Sequence, residues 1–219
     1  MNPLYNEAMF DSLFENACVH HERIPLSHNV ALAMTNWLGP EQSGYASKRM
    51  DEYLAGRYCA VNASRKAEIE LKELPMANDR SPCWPSGVVG SITHTNDIAI
   101  AVVSNKVTGL GIDVEKIIPA PRFDRIQKLI ATKEEVKRFE NIKFAPTLIF
   151  SAKETLYKAL HPKCKKYFGF LEATLTEIDQ TNFLIKLHSD TLEVSIFNGN
   201  YRGRYILFED KIVTSLELT

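Results

Sequence analysis

From Tyr45 to Ala63 the apolar residues Met50, Tyr53, Leu54, Tyr58 and Val61 recur at three- and four-residue spacing. Lys48, Arg49, Asp51, Glu52 and Arg57 fall mostly between them, and that periodicity predicts a helix. Helix formers continue from Ser64 to Leu74, so Pro75 is the expected stop. Ser81 to Gly90 holds Pro82, Pro85, Gly87 and Gly90 and predicts a loop. Ile98 to Val103 (IAIAVV) reads as a buried strand, Ser104 to Thr108 as a turn, and Gly109 to Glu115 (GLGIDVE) as a second strand. Pro119 and Pro121 open a linker into a charged helix, Arg122 to Glu140. A further helix from Pro146 to Leu160 carries the stripe Leu148, Ile149, Ala152, Leu156, Tyr157 and Leu160. The last third alternates over short spans and predicts strands at 173–178, 183–187, 192–197, 201–208 and 212–218, with Asn198-Gly199 as a hairpin turn. The first 40 residues mix short apolar runs with Pro25, Gly39 and Pro40 and predict no element. Helices and antiparallel hairpins in segregated runs argue an α+β fold, not a doubly wound one.

Composition narrows the class further. The chain has 219 residues, 45% hydrophobic and 24% charged, with a formal net charge of -1. That suits one large or two small globular domains and gives no electrostatic case for nucleic-acid binding. An anionic ligand must be held by local clusters. Cys18, Cys59, Cys83 and Cys164 are scattered, with no C-x-x-C pair, which reads as reduced thiols in a cytoplasmic protein. Met1 to His21 lacks the apolar core of a signal peptide, and no run is long enough to be a transmembrane segment.

Neither a Walker-type loop nor an H-E-x-x-H appears, and Val114 stands where a dinucleotide fingerprint opening at Gly109-Leu110-Gly111 needs glycine. His20-His21-Glu22 reads as a solvated polar patch. Asp113 and Glu115 lie two apart in a strand and so face the same side. A hard divalent cation such as Mg²⁺ suits that pair, although a solvated strand end carries the same pattern. If the strands at 98 and 109 form a hairpin, His94 shares one sheet edge with Asp113 and Glu115. Ser91, Thr93 and Thr95 around His94 offer hydroxyls to an anion. Glu154 and Lys158 are i,i+4 on a helix, which fits either a surface ion pair or a third acid with a phosphate-binding lysine. Arg49 and Arg57 fall near one helix face, about 80° apart, and could grip a phosphate monoester. An ordinary solvated face, with Asp51 and Glu52 as partners, is the alternative.

Read in order, Cys83-Trp84-Pro85-Ser86-Gly87, Gly90-Ser91-Ile92-Thr93-His94, Gly111-Ile112-Asp113-Val114-Glu115 and Phe150-Ser151-Ala152-Lys153-Glu154-Thr155-Leu156-Tyr157-Lys158 resemble a 4'-phosphopantetheinyl transferase. The resemblance is to the Sfp-type branch, and within it to the enterobactin synthase component D subgroup, which carries a helix like Lys48-Arg49…Tyr53-Leu54-Ala55-Gly56-Arg57. It spans about Lys48 to Phe170. It implies a pseudo-dimer of two α+β halves, divided here at 118/119, with the active site in the cleft between them. It also implies transfer of phosphopantetheine from coenzyme A to a serine of an apo acyl, peptidyl or aryl carrier protein, releasing adenosine 3',5'-bisphosphate, in siderophore or other nonribosomal peptide synthesis. Carried over by position, Asp113, Glu115 and Glu154 hold Mg²⁺, and Glu154 also acts as the base. Lys158 meets the α-phosphate, Thr93 and His94 the pyrophosphate, and Arg49 and Arg57 the 3'-phosphate. Relatives often carry a basic residue near the adenine where this chain reads Leu74-Pro75-Met76-Ala77-Asn78, and Arg80 is the nearest substitute.

Carrier recognition falls to His161 to Phe170, where Lys163, Lys165 and Lys166 sit beside Tyr167, Phe168 and Phe170. A monomer is expected. A metal-dependent phosphohydrolase built on the same acids, and a non-catalytic coenzyme or carrier binder, are the competing readings.

Overall fold

The computed structural model describes residues 3–39 and 42–219, with side chains from Glu7 onward. Met1 and Pro40, used above, lie outside the described residues. The architecture is α+β, with two sheets. The chain divides into two compact units, residues 1–110 with Thr219, and residues 111–218. Among the described residues no helix is long and apolar enough to cross a membrane.

The first unit opens with α1 (Pro3–Asp11), β1 (Cys18–Arg23), α2 (His28–Ala33) and a short 3-10 turn at Met34–Trp37. Helix α3 (Ser47–Lys66) follows, then β2 (Val89–His94) and β3 (Ile98–Ser104). The sheet order is β1-β3-β2, both pairings antiparallel. Every residue of β3 is buried, as its β-branched run requires of a central strand. Helix α3 packs on β1, β2 and β3 and buries Leu54, Ala55, Cys59 and Ala60. It ends at Lys66, short of the expected Pro75. Glu68 adopts φ 58, and the Ile69 N–H turns back to the Ser64 carbonyl at 2.8 Å, a left-handed C-terminal cap.

Two strands here differ from expectation. β2 occupies the end of the expected loop and carries Gly90 and Ser91, which hide its strand character. Trp84 explains the glycine, because a Cβ at Gly90 would collide with its indole ring. β1 contains the supposed polar patch. His20 and His21 are half-buried, their Nε2 atoms lack hydrogen-bond partners, and burial lowers both pKa values. The Phe10 ring packs against that of His21 at a tilt of 35°, with centroids 4.3 Å apart.

The second unit carries most of β4 (Gly109–Lys116), then α4 (Ala120–Ile130), α5 (Lys133–Arg138) and α6 (Ala145–Cys164). A 3-10 turn at Phe170–Glu172 leads to β5 (Ala173–Ile178), β6 (Asn182–Leu187), α7 (Leu192–Ser195), β7 (Gly199–Phe208) and β8 (Lys211–Leu218). The sheet order is β4-β8-β7-β6-β5. β4 therefore belongs to the second sheet, and the anticipated hairpin of β3 with β4 does not form. The boundary between the two compact units falls inside β4, whose neighbour in the sheet is β8.

The single helix expected at 122–140 is two. Thr132 Oγ1 accepts from the Glu135 N–H at 3.1 Å and Glu135 Oε2 from the Thr132 N–H at 2.7 Å, a capping box that starts a new helix. Helix α6 runs past Leu160 to Cys164. Pro162 lies in its last turn, and Lys165 closes it at φ 53. The expected strand at 192–197 is helical instead. Val194 is buried, while Leu192 and Ile196, four apart, are exposed. Asn198 is no hairpin residue: its side chain bonds the backbone N–H and carbonyl of Ser189 at 2.8 and 2.9 Å.

Candidate active site

In the second unit, Gly111 lets β4 and α6 touch. A Cβ there would overlap the Thr155 carbonyl oxygen. That contact sets Asp113 of β4 against Ser151 and Lys158 of α6. Asp113 is 3% exposed, with Oδ2 accepting from Ser151 Oγ at 2.8 Å and Oδ1 from Lys158 Nζ at 2.7 Å. Lys158 also donates to the Ile112 carbonyl at 3.1 Å. Ser151 and Thr155 each lie within hydrogen-bond distance of Thr214 Oγ1 on β8, at 2.8 and 2.6 Å. This hydroxyl chain was not apparent from the sequence, because Thr214 lies 63 residues from Ser151. Lys158 is thus paired with Asp113.

Glu115 and Glu154 complete an acid-rich group. Burial pushes the Glu115 carboxyl up to about 7, with the Asp113 and Glu154 charges adding to it and Lys158 opposing. Burial also raises Glu154, with Lys158 opposing and Asp113 adding. Three acids against Lys158 and the weaker influence of Arg122 leave surplus negative charge in partly dry surroundings. Among the described residues no three His, Cys, Asp or Glu side chains form a group that could by itself hold a metal ion. Mg²⁺ does not need one, since it commonly takes one or two carboxylates with waters and ligand phosphates. The donor set, all hard oxygens under mutual repulsion, fits that ion.

Lys153, the neighbour of Glu154, has a different task. Its ammonium is buried on Glu135 Oε2 at 2.8 Å and the Ile130 carbonyl at 2.9 Å. Glu154, and with it part of Lys153, lines a cavity of about 140 Å³ shared with Tyr157, Tyr167, Phe168 and Phe170. Within the expected carrier-recognition segment, Tyr167 is 71% exposed but Phe168 only 5%. Lys166 pairs with Glu193 at 3.3 Å.

In the first unit Arg57 is buried. Its guanidinium lies over the Tyr53 ring at 4.3 Å, and Nε donates to the Leu74 carbonyl at 3.2 Å. Burial holds its pKa below the ordinary arginine value, and Arg49 adds to this. Tyr53 and Leu74 also line a cavity of about 500 Å³ with Trp37, Pro75 and Met76. Arg80 is exposed, in a turn with φ 68. Arg49 lies beside His94, Nη1 to Nε2 at 3.3 Å, and Thr93 is buried next to it on β2. Glu52 sits between Arg49 and His94, with a role the spacing did not reveal.

Comparison with known proteins agrees with the ordered motifs. Residues 42–104 match the 4'-phosphopantetheinyl transferase N-terminal domain, and residues 109–208 the 4'-phosphopantetheinyl transferase superfamily. The chain is 37% identical over 146 residues to enterobactin synthase component D of Salmonella typhi, covering 64% of this chain and 59% of that relative. It is 35% identical over 189 residues to the 4'-phosphopantetheinyl transferase Npt of Nocardia iowensis, covering 77% and 82%. With PptT of Mycobacterium tuberculosis the identity is 29% over 182 residues, covering 78% and 80%. The match thus spans about three-fifths of the Salmonella relative and about four-fifths of the other two. The motifs, the α+β architecture and these matches together place the chain in the 4'-phosphopantetheinyl transferase superfamily.

Proposed function

We propose that the chain transfers the 4'-phosphopantetheine group of coenzyme A to a serine hydroxyl of an apo carrier protein, releasing adenosine 3',5'-bisphosphate. The observation that carries this reading is the surplus of acid at Asp113, Glu115 and Glu154, with Lys158 as the cation paired to Asp113. These three acids would hold Mg²⁺, which when bound neutralises phosphate charge and orients the pyrophosphate. A serine hydroxyl is a weak nucleophile, and Glu154, its pKa raised by burial, suits the general base that takes its proton. Lys158 Nζ supplies positive charge for the α-phosphate as the leaving group departs. Arg49, Arg57, Thr93 and His94 supply donors to the other phosphates. The Tyr53- and Trp37-lined cavity beside Arg57 suits a flat apolar base such as adenine. The relatives named for enterobactin synthesis favour a siderophore or other peptide-synthetase carrier.

The test is mass spectrometry of a panel of apo carriers incubated with the chain, coenzyme A and Mg²⁺. A gain of one phosphopantetheine mass on a carrier is expected. No gain on any carrier, with nucleotide or phosphate released from coenzyme A alone, would instead identify a phosphohydrolase.

A further inference from the structure

In the first unit, a dense cluster of charged side chains lies where α3 meets the end of β2, and Glu52 is at its centre. Its side chain is 12% exposed, with Oε2 3.5 Å from Arg49 Nη1 and 3.8 Å from His94 Nδ1. Oε1 lies 3.9 Å from Lys48 Nζ. Arg49 Nη1 is in turn 3.3 Å from His94 Nε2. A guanidinium has no acceptor, so Arg49 donates and His94 Nε2 accepts. The ring proton then sits on Nδ1, the atom facing Glu52. Arg49 and Glu52, three apart on α3, share a helix face, and the carboxylate reaches both ends of the Arg49–His94 contact.

We infer that Glu52 is a positioning residue: it holds Arg49 and His94 together, so that the guanidinium N–H groups Arg49 does not spend on His94 meet a single phosphoryl group. This differs from giving His94 a phosphate of its own, and it rests on the transferase reading. Two physical accounts of Glu52 differ in sign. A carboxylate that merely neighbours a phosphate site repels the ligand, so its removal tightens binding. A carboxylate that anchors the donors weakens binding when removed, because Arg49 is released and His94 loses the partner of its Nδ1.

The experiment uses the full chain and its Glu52→Gln and Glu52→Ala variants, with calorimetric titration of coenzyme A and steady-state transfer to a carrier. About a tenfold rise in the Kd for coenzyme A is expected, comparable to losing one coupled charge contact. Both kcat and the KM for the carrier should stay within about twofold, and the melting temperature within about 2 °C, which a purely structural role would not leave intact. In an Arg49→Ala, His94→Ala background, Glu52→Gln should add no further loss. Unchanged or tighter coenzyme binding, or an equal loss in that background, overturns the assignment. If Glu52→Ala does not fold, Glu52→Gln, of the same size, carries the test. A wild-type chain that binds no coenzyme A defeats both this inference and the transferase reading. A wild-type chain that binds and transfers normally, with variants that bind as well, defeats only the role of Glu52.

Discussion

Lys153 and Glu154 are consecutive on α6, yet they meet opposite conditions. Lys153 is buried against Glu135, whose other oxygen accepts from the Leu175 N–H at 2.7 Å, while the Thr132 N–H reaches the lysine-bound one. Every charge in that group has a partner, so its burial serves the fold. Glu154 is half-buried beside Asp113 and Glu115, and its pKa rises because burial and like charge oppose ionisation. The pairing of buried charges, more than burial itself, separates a structural acid from a candidate functional one.

Four measurements can break that contrast. The largest effect is expected from Glu154→Gln, which should slow carrier loading by about 10²–10⁴-fold through loss of the base. Its urea midpoint should not fall, because a strained charge has gone. A variant that loads carriers at the wild-type rate would remove Glu154 from the chemistry. Next, Lys153→Met strands Glu135 in the interior and should cost about 3–5 kcal/mol in urea unfolding. Adding Glu135→Leu should recover part of this, the remainder being the Leu175 and Thr132 N–H groups left unbonded. A cost well under 1 kcal/mol for Lys153→Met would erase the distinction between the two neighbours.

Gly111→Ala should cost about 1–3 kcal/mol by forcing α6 away from β4, and should slow transfer with it. An alanine chain with wild-type midpoint and rate would show that the close contact is dispensable. The smallest effect is on the pH dependence of stability. The Glu115 carboxyl is near 4.5 when unfolded and about 7 when folded. Between those values the folded chain keeps a proton that the unfolded chain has released. Stability should therefore decline as pH rises across that window, and stay reduced above it. Glu115→Gln should flatten the decline, measured as the difference in urea midpoint between pH 5 and pH 8. An unaltered slope would mean that Glu115 is not under strain.

The acids and Lys158 were legible because strand and helix spacing are local, and the ordered motifs add specificity. Their partners were not. Ser151 has no visible reason to face Asp113 until β4 packs on α6, and Thr214 enters from a distant strand. Glu52 read as an ordinary helix charge because His94 reaches it only through the β2–α3 contact. The α+β class and β3 were readable from segregated runs and a β-branched stretch. β1 was not, since Cys-Val-His-His-Glu-Arg has no apolar alternation and depends on pairing with β3. At 192–197 the apolar residues fit a strand, but the chain places Leu192 and Ile196 on the exposed side of a helical turn. The break between α4 and α5 was written in the sequence as Thr132 with Glu135, a local signal outweighed by the surrounding charged pattern.

Gly111 has no side chain to offer a proton or a phosphate, yet the reach of Lys158 to Asp113 depends on the methyl group it lacks. The glycine works as a shim of zero thickness between strand and helix. Transplanting α6 from a relative into this chain, or β4 out of it, conserves the acid spacing only where the receiving partner leaves the same gap. The unit exchanged in such a chimera is therefore the strand and helix together.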